Sequence, residues 1–217
     1  MIVQETDIKN TSNMTMQASQ LKSLPYDAQL QWLKASGTQW IDTEVLARNG
    51  LKISVKVTSA GSSASIYGGG NGWGNSYLQT SFGTTGGKNV FYFGYGSYAA
   101  CPDTTVNWKS GDTFEIVEDD NEFYVNNKKL GAAAKTTFQT AYPIALFCYN
   151  RSGSHGEHSK DTIYYFKIED GNEVLIDLIP VKFTNEDSET EGAMYDRVSE
   201  KLFMNKGTGK FILGPVK

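Results

Sequence analysis

The sequence predicts an all-β protein, folded as a sandwich of two antiparallel sheets. Short runs throughout the 217-residue chain alternate between apolar and polar side chains, as half-buried strands do. The clearest run places Leu51, Ile53, Val55 and Val57 on one face and polar side chains on the other. Turn-forming residues separate the runs, among them 22 glycines. About a dozen such runs without helical periodicity indicate two packed sheets rather than a helical layer.

A strand pair is predicted near the C-terminus. In residues 162–169 the predicted core face begins at Tyr164 and recurs at every second residue. Residues 170–172, Asp-Gly-Asn, supply a turn, and residues 174–179 return with the same alternation. Pro180 has no backbone N–H to donate, so it predicts a strand end or an edge.

Two further hairpins are predicted in the middle of the chain. Residues 114–118 and 122–125 form strands joined by the turn signal at 119–121, and Asn126-Asn127 turns the chain again. Glu115 and Glu118 are three residues apart on this strand, so they are expected on opposite faces. Residues 132–135, Ala-Ala-Ala-Lys, predict one helical turn, which is too short to be stable alone.

The chain divides into an arm, residues 1–23, and one β-sandwich domain, residues 24–217. The arm is polar and has no aromatic residue, so it cannot offset its ordering entropy alone. Two interpretations stay open: a frayed leader, and a docking arm that orders on a neighbouring subunit. The second is favoured, with contacts expected from the arm's apolar residues Ile2, Val3, Ile8, Met14, Met16 and Leu21.

The charge balance argues against two classes of partner. A formal net charge of −4 gives no reason to expect nucleic-acid or anionic-membrane binding. No apolar run approaches the roughly 20 residues of a transmembrane helix. The N-terminus lacks the basic start and apolar core of a secretory signal, so we expect another export route or release by lysis from the cytoplasm.

Two cysteines are too few for a disulfide scaffold. Cys148 lies within the apolar run 144–149, which predicts a buried thiol that packs as a small apolar group. Cys101 precedes Pro102 in a predicted loop. Two free thiols are therefore favoured over one bridge.

Both ends of the domain resemble one known family. The opening stretch Leu-Pro-Tyr-Asp-Ala at 24–28 and Ser-Gly-Thr-Gln-Trp-Ile-Asp-Thr at 36–43 is one part of the match. The other is Gly-Ala-Met-Tyr-Asp-Arg-Val at 192–198, followed by Leu-Phe-Met-Asn and Gly-Thr-Gly-Lys-Phe. Together they resemble the concanavalin A-like (laminin G-like) jelly-roll domains of phage virion structural proteins and gut-bacterial surface proteins, over residues 24–215. The resemblance implies a jelly-roll connection between the two sheets.

A virion role is the first function that this resemblance implies. The chain would be a non-enzymatic capsid decoration, head-fibre or tail-associated protein, made in the host cytoplasm and attached to other virion proteins by its arm. Repeated virion sites favour a homo-oligomer. The alternative is a carbohydrate-binding or adhesion module, extracellular or at a cell surface, that recognises host-surface or gut glycans. One fold hosts many functions, so the site has to decide between them.

Enzymatic signatures are weak. His155, Glu157 and His158 have neither the spacing nor the helix of a zinc-protease motif, so ordinary loop histidines are expected and no metal is predicted. No strand carries the carboxylate spacing of the resembling glucanases, although hydrolysis of glycosides stays a third hypothesis. The acidic run 186–191 is expected to be a solvated loop that attracts at most a cation. No cofactor and no catalytic residue are predicted.

Sugar binding is predicted at loops and strand ends that carry aromatic and amide side chains. Candidate glycan contacts are Trp73, Tyr95, Tyr98, Asn150 and Arg151, on the assumption that they share one rim of the sandwich. Aromatic rings present an apolar face to a ligand, and amides fix its orientation. For Trp73 the alternative is a loop anchor packed against the sheet.

Overall fold

A computed structural model describes residues 24–72, 76–100 and 106–217, with the backbone alone for 98–100. All regular structure in these residues is β. The predicted arm, residues 1–23, lies outside the described residues, and so do its six candidate docking contacts. The predicted helical turn at 132–135 is wrong, because Ala132 ends a strand and the chain continues without regular structure.

The first half of the described chain contains β1 (Ala28–Gln29), β2 (Leu33–Lys34), β3 (Ile41–Arg48), β4 (Leu51–Thr58), β5 (Ala64–Gly70), β6 (Tyr77–Thr85), β7 (Lys88–Gly96), β8 (Tyr98–Ala100), β9 (Thr113–Asp119) and β10 (Glu122–Val125). The second half contains β11 (Lys128–Ala132), β12 (Gln139–Leu146), β13 (Tyr149–Arg151), β14 (Ser154–Gly156), β15 (Thr162–Asp170), β16 (Glu173–Thr184), β17 (Thr190–Asp196), β18 (Leu202–Phe203) and β19 (Ile212–Leu213).

These strands form two sheets packed as a jelly-roll sandwich, which confirms the predicted fold class. The large sheet has the order β11-β10-β9-β4-β15-β16-β17-β18, with β1, β2 and β19 joined to it. The small sheet has the order β14-β13-β5-β6-β7-β8, with β12 beside β5 and β3 beside β12.

One strand pair departs from the predicted antiparallel pattern. Strand β13 pairs parallel to β5, with Asn150 opposite Gly69. Strand β12 is antiparallel to that same strand, and the chain reverses after it at Phe147, whose φ is +65°. Because β13 continues beside the same neighbour after the reversal, its direction relative to β5 is inverted.

The core lies between the sheets and follows the predicted alternation. Leu51, Ile53, Val55 and Val57 are all fully buried, while the residues between them are half-buried. The small sheet contributes aromatic side chains to this core. Phe93 of the small sheet stacks on Phe123 of the large sheet, with 4.6 Å between the ring centroids. Each such apolar side chain contributes about 1.5–3 kcal/mol by leaving water.

Two strand predictions near the C-terminus need correction. Tyr164 is not on the core face, because β15 has an irregularity between Ile163 and Tyr165 that turns Ile163 inward instead. Pro180 neither ends nor edges its strand. It lies inside β16, at the point where the neighbouring strand on one side changes from β15 to β1. The missing N–H of Pro180 therefore removes no hydrogen bond from either strand pair.

A buried carboxyl group joins the two sheets. Glu118 of β9 faces the core and has no solvent exposure. Glu115 faces solvent, with its Oε1 atom 3.8 Å from Lys56 Nζ. The two side chains are therefore on opposite faces of the strand, as the spacing predicts. The Tyr67 hydroxyl donates to Glu118 Oε2 at 2.9 Å, and Thr80 Oγ1 lies 3.2 Å from the same oxygen. Burial raises the pKa of Glu118 to about 8, so the neutral acid is favoured in the fold at neutral pH.

The two stretches that carry the family resemblance meet in the fold. Trp40 N donates to Asn205 Oδ1 at 3.3 Å, and Lys206 N donates to the Trp40 carbonyl at 2.9 Å. Gln39 Nε2 donates to the Thr208 carbonyl at 2.8 Å. We call these five residues the terminal clasp. Part of each motif therefore helps to close the domain: Gln39 and Trp40 of the first stretch, and Asn205 and Thr208 of the second.

Candidate ligand-binding groove

Four of the five predicted sugar-binding residues, Tyr95, Tyr98, Asn150 and Arg151, lie at one end of the small sheet. Gly70 at the end of β5 pairs with Tyr77 at the start of β6, and Tyr77 pairs with Gly96 at the end of β7. Arg151 pairs with Gly70 from the parallel strand β13. The expectation that these strand ends share one rim therefore holds for the backbone.

Two of the predicted contacts are wrong, because their side chains point into the protein. Tyr95 is 1% exposed, and its hydroxyl donates to Asp120 Oδ1 at 2.5 Å. Asn150 is 3% exposed; its amide donates to the Pro143 carbonyl at 2.9 Å and accepts from Gly153 N at 3.0 Å. Both side chains are committed to the fold.

Of the other three candidates, Arg151 is the one whose side chain the structure describes. Arg151 is exposed at the rim, where its guanidinium lies near Gly72. Trp73 lies outside the described residues. The backbone of Tyr98 pairs with Tyr95, and its side chain is outside the description.

A groove of about 570 Å³ lies on the outward face of β6 and β7, beside this rim. Its volume falls within the range of small-molecule sites, and apolar surface predominates in its lining. The lining residues are Ser63, Ala64, Tyr77, Gln79, Ser81, Phe82, Gly83, Thr84, Tyr92, Phe93, Gly94 and Glu157.

Tyrosine rings lie against glycines of neighbouring strands on this face. A Cβ atom at Gly83 would come within 2.3 Å of the Tyr92 ring, and one at Gly94 within 2.1 Å of the Tyr77 ring. Glycine in these strands thus permits a ring to lie close to the backbone. Tyr92 is half-buried and lines the groove, so the side of its ring away from Gly83 is available to a ligand.

Gln79 and Glu157 of the groove lining belong to a polar network that also includes Ser65. Gln79 Nε2 donates to Glu157 Oε2 at 2.9 Å and lies 2.5 Å from Ser65 Oγ. The Ser65 hydroxyl donates to the same carboxylate oxygen at 2.9 Å. Two donors of the groove are therefore already paired inside the protein.

The chain brings Glu157 to the groove through backbone pairing. Ser65 N donates to the Glu157 carbonyl at 3.0 Å, and Ser65 forms an isolated parallel bridge with His158. Glu157 has a φ of +54°, a conformation that non-glycine residues seldom adopt. The surrounding backbone therefore holds this residue in an unfavourable conformation, with its carboxylate over β5 and β6.

The two histidines do not lie in a solvated loop: His155 belongs to β14, and His158 forms a bridge with Ser65. His155 stacks on Trp40, with 3.6 Å between ring centroids, and burial lowers the pKa of His155. Among residues 24–72, 76–100 and 106–217, no group of three His, Cys, Asp or Glu side chains is arranged to hold a metal ion. Cys148 is a buried free thiol, as predicted, and Cys101 lies outside the described residues.

Sequence reasoning missed the residues that line the groove. Their signal was present in part, because Tyr77, Gln79, Ser81 and Gly83 recur at every second position of β6 and so share one face, although the strand is buried from Tyr77 to Gly83. The sequence around Glu157 has no such alternation. This residue reaches the groove because its backbone pairs with Ser65, which is distant in the sequence.

Comparisons with known proteins show a similarity of fold and give no other match. No family model matches the chain, and no curated protein matches it. Among solved structures, the native heptameric SAP-like pentraxin from Limulus polyphemus is similar, with a TM-score of 0.48 and 9% identity. That match covers 71% of this chain and 79% of the pentraxin chain. Within the described part of the chain, no helix has the length and apolar character needed to cross a membrane.

Proposed function

We propose that this chain is a non-enzymatic structural protein of a bacteriophage virion whose β-sandwich binds a carbohydrate. The observation that supports carbohydrate binding best is the groove along β6, whose lining combines the Tyr92 ring with the polar side chains of Gln79 and Glu157. A sugar ring has apolar C–H faces and a polar edge, so it complements such a groove.

The small number of carboxylates in the groove favours binding without hydrolysis of the ligand. Glycosidases commonly use two carboxyl groups, about 5–10 Å apart, around the reacting bond. The described residues that line the groove include one carboxylate, Glu157, which already accepts two hydrogen bonds.

The virion location rests on the sequence resemblance of the two terminal motifs. In this proposal, residues 1–23 attach the domain to capsid or tail subunits, and the groove faces outward to bind glycans of the host surface. Repetition of the domain on a particle, or in a homo-oligomer, would raise the avidity of weak single sites.

Tyr92→Ala is expected to weaken glycan binding at least tenfold, because it removes the ring that would stack on the sugar. Binding is measured first on an array of linear neutral and acidic glycans, then by calorimetry with the strongest ligand. Tyr124→Ala is the control, since Tyr124 is also half-buried and outward-facing but lies on the large sheet. Equal affinity of both variants and the wild type would refute a groove site.

Deletion of residues 1–23 is expected to abolish co-sedimentation with phage particles while the domain still binds its glycan. The measurement is sedimentation of particles that lack this protein after mixing with full-length or truncated chain. Full retention of the truncated chain on the particles would contradict attachment through the arm. Failure of the full-length chain to associate would contradict the virion role.

A further inference from the structure

The polar network around Glu157 favours hydrogen-bond donors on the part of the ligand that contacts it. Gln79 Nε2 and the Ser65 hydroxyl both donate to Glu157 Oε2, so these donors are used within the protein. No described residue donates to Glu157 Oε1 or to the Gln79 side-chain oxygen. These two oxygens therefore offer acceptors to donor groups of a ligand, while the hydroxyl groups of Ser63, Ser81 and Thr84 in the lining can both donate and accept.

The charge of the lining strengthens this selection. Glu157 is the charged member among the described lining residues, and no lysine or arginine accompanies it there. A carboxylate or sulfate placed in the groove would lose water, face a like charge and find no cationic partner, which is costly. Hydroxyl and ammonium groups meet no such penalty.

The groove is elongated along β6, so it can contact several sugar units of an extended ligand. Its lining follows β6 from Tyr77 to Thr84, which spans roughly 23 Å at the usual rise of a strand. The lining also includes Ala64 of β5 and Tyr92 of β7, on either side of β6. The groove therefore extends over three neighbouring strands, which is about 10 Å between the outer two.

We infer that the ligand is an extended oligosaccharide that is neutral or carries amino groups, and that Glu157 excludes acidic glycans. This inference rests on the proposed carbohydrate function of the same groove. Within it, Glu157 determines specificity: its free oxygen accepts a hydrogen bond from a ligand hydroxyl or ammonium, and its charge repels uronic acids and sulfated sugars.

The test compares matched tetrasaccharides by calorimetry with the full chain. The probes are 1,4-linked tetramannose and tetragalactose and their C6-oxidised counterparts, tetramannuronate and tetragalacturonate. Each neutral member that binds is expected to bind at least tenfold more tightly than its acid. The corresponding disaccharide is expected to bind at least tenfold more weakly, because it occupies a fraction of the groove.

The variant Glu157→Gln is expected to lower the ratio of neutral to acidic affinity at least tenfold. Glu115→Gln is its control, since it removes one negative charge from the outer face of the large sheet. An acidic glycan that binds the wild type more tightly, and whose binding Tyr92→Ala abolishes, would overturn this inference and leave the groove as a glycan site. Absence of binding by all four probes and by the glycan array would overturn the carbohydrate function with it.

Discussion

Gly207→Ala is expected to lower the free energy of unfolding by about 3 kcal/mol. A Cβ atom at Gly207 would lie 1.9 Å from the Thr38 carbonyl oxygen and 2.9 Å from the Trp40 ring. The backbone carbonyl cannot rotate away as a flexible side chain would. The substitution therefore has to open the terminal clasp, with the hydrogen bonds that close the domain there.

Chemical denaturation of both proteins measures this effect, and the melting temperature should fall by about 6–12 °C for a chain of this size. Gly156→Ala is the matched control, because a Cβ atom there meets nothing within 4 Å and its backbone is not left-handed. Its expected effect is below about 0.5 kcal/mol. Similar stability of the two variants would contradict the clasp.

Glu118→Gln is expected to remove most of the protein's loss of stability between pH 5 and pH 8. In the fold, burial raises the pKa of Glu118 from 4.5 to about 8. The folded state thus holds a proton that the unfolded chain releases, and this contribution is fully present below pH 4.5. It declines as pH rises through the folded pKa, by roughly 5 kcal/mol in total.

Urea denaturation at pH 5, 6.5 and 8 tests this coupling, with the difference between wild type and variant as the readout. Burial also raises the pKa of Asp161 to about 6. Because Asp161 is present in both the wild type and the variant, its contribution cancels in the difference. Glu115→Gln is the control on the same strand, because Glu115 is exposed. Parallel pH profiles for wild type and Glu118→Gln would show that Glu118 is not a neutral acid at the sheet interface.

Much of the fold was predictable because strand alternation is a local signal. The core face of β4 and the turns at Gly171 and Asn126-Asn127 appear in the structure as predicted. Pro180 was misassigned because its effect depends on which strand lies beside it, which is long-range information. The irregularity at Ile163 shifted a core face by one residue in the same way.

The site was less predictable, because exposure in a sandwich depends on pairing between distant strands. Tyr95 stands beside Gly96-Ser97 at a predicted strand end, which suggested an exposed aromatic at the rim, yet it lies on the core face of β7. Glu118 shares its alternation with Phe114 and Ile116, so its burial was visible in the pattern. Glu157 reaches the groove only through its pairing with Ser65, and no local pattern encodes that contact.

The most direct test of the groove is a titration of isotope-labelled protein with the best-binding tetrasaccharide, followed by amide NMR shifts. We expect the largest shifts at residues 77–84 and 92–94 and at Glu157, with little change in β9 and β10 of the large sheet. Shifts confined to the large sheet, with residues 77–84 unaffected, would contradict a carbohydrate site on the small sheet.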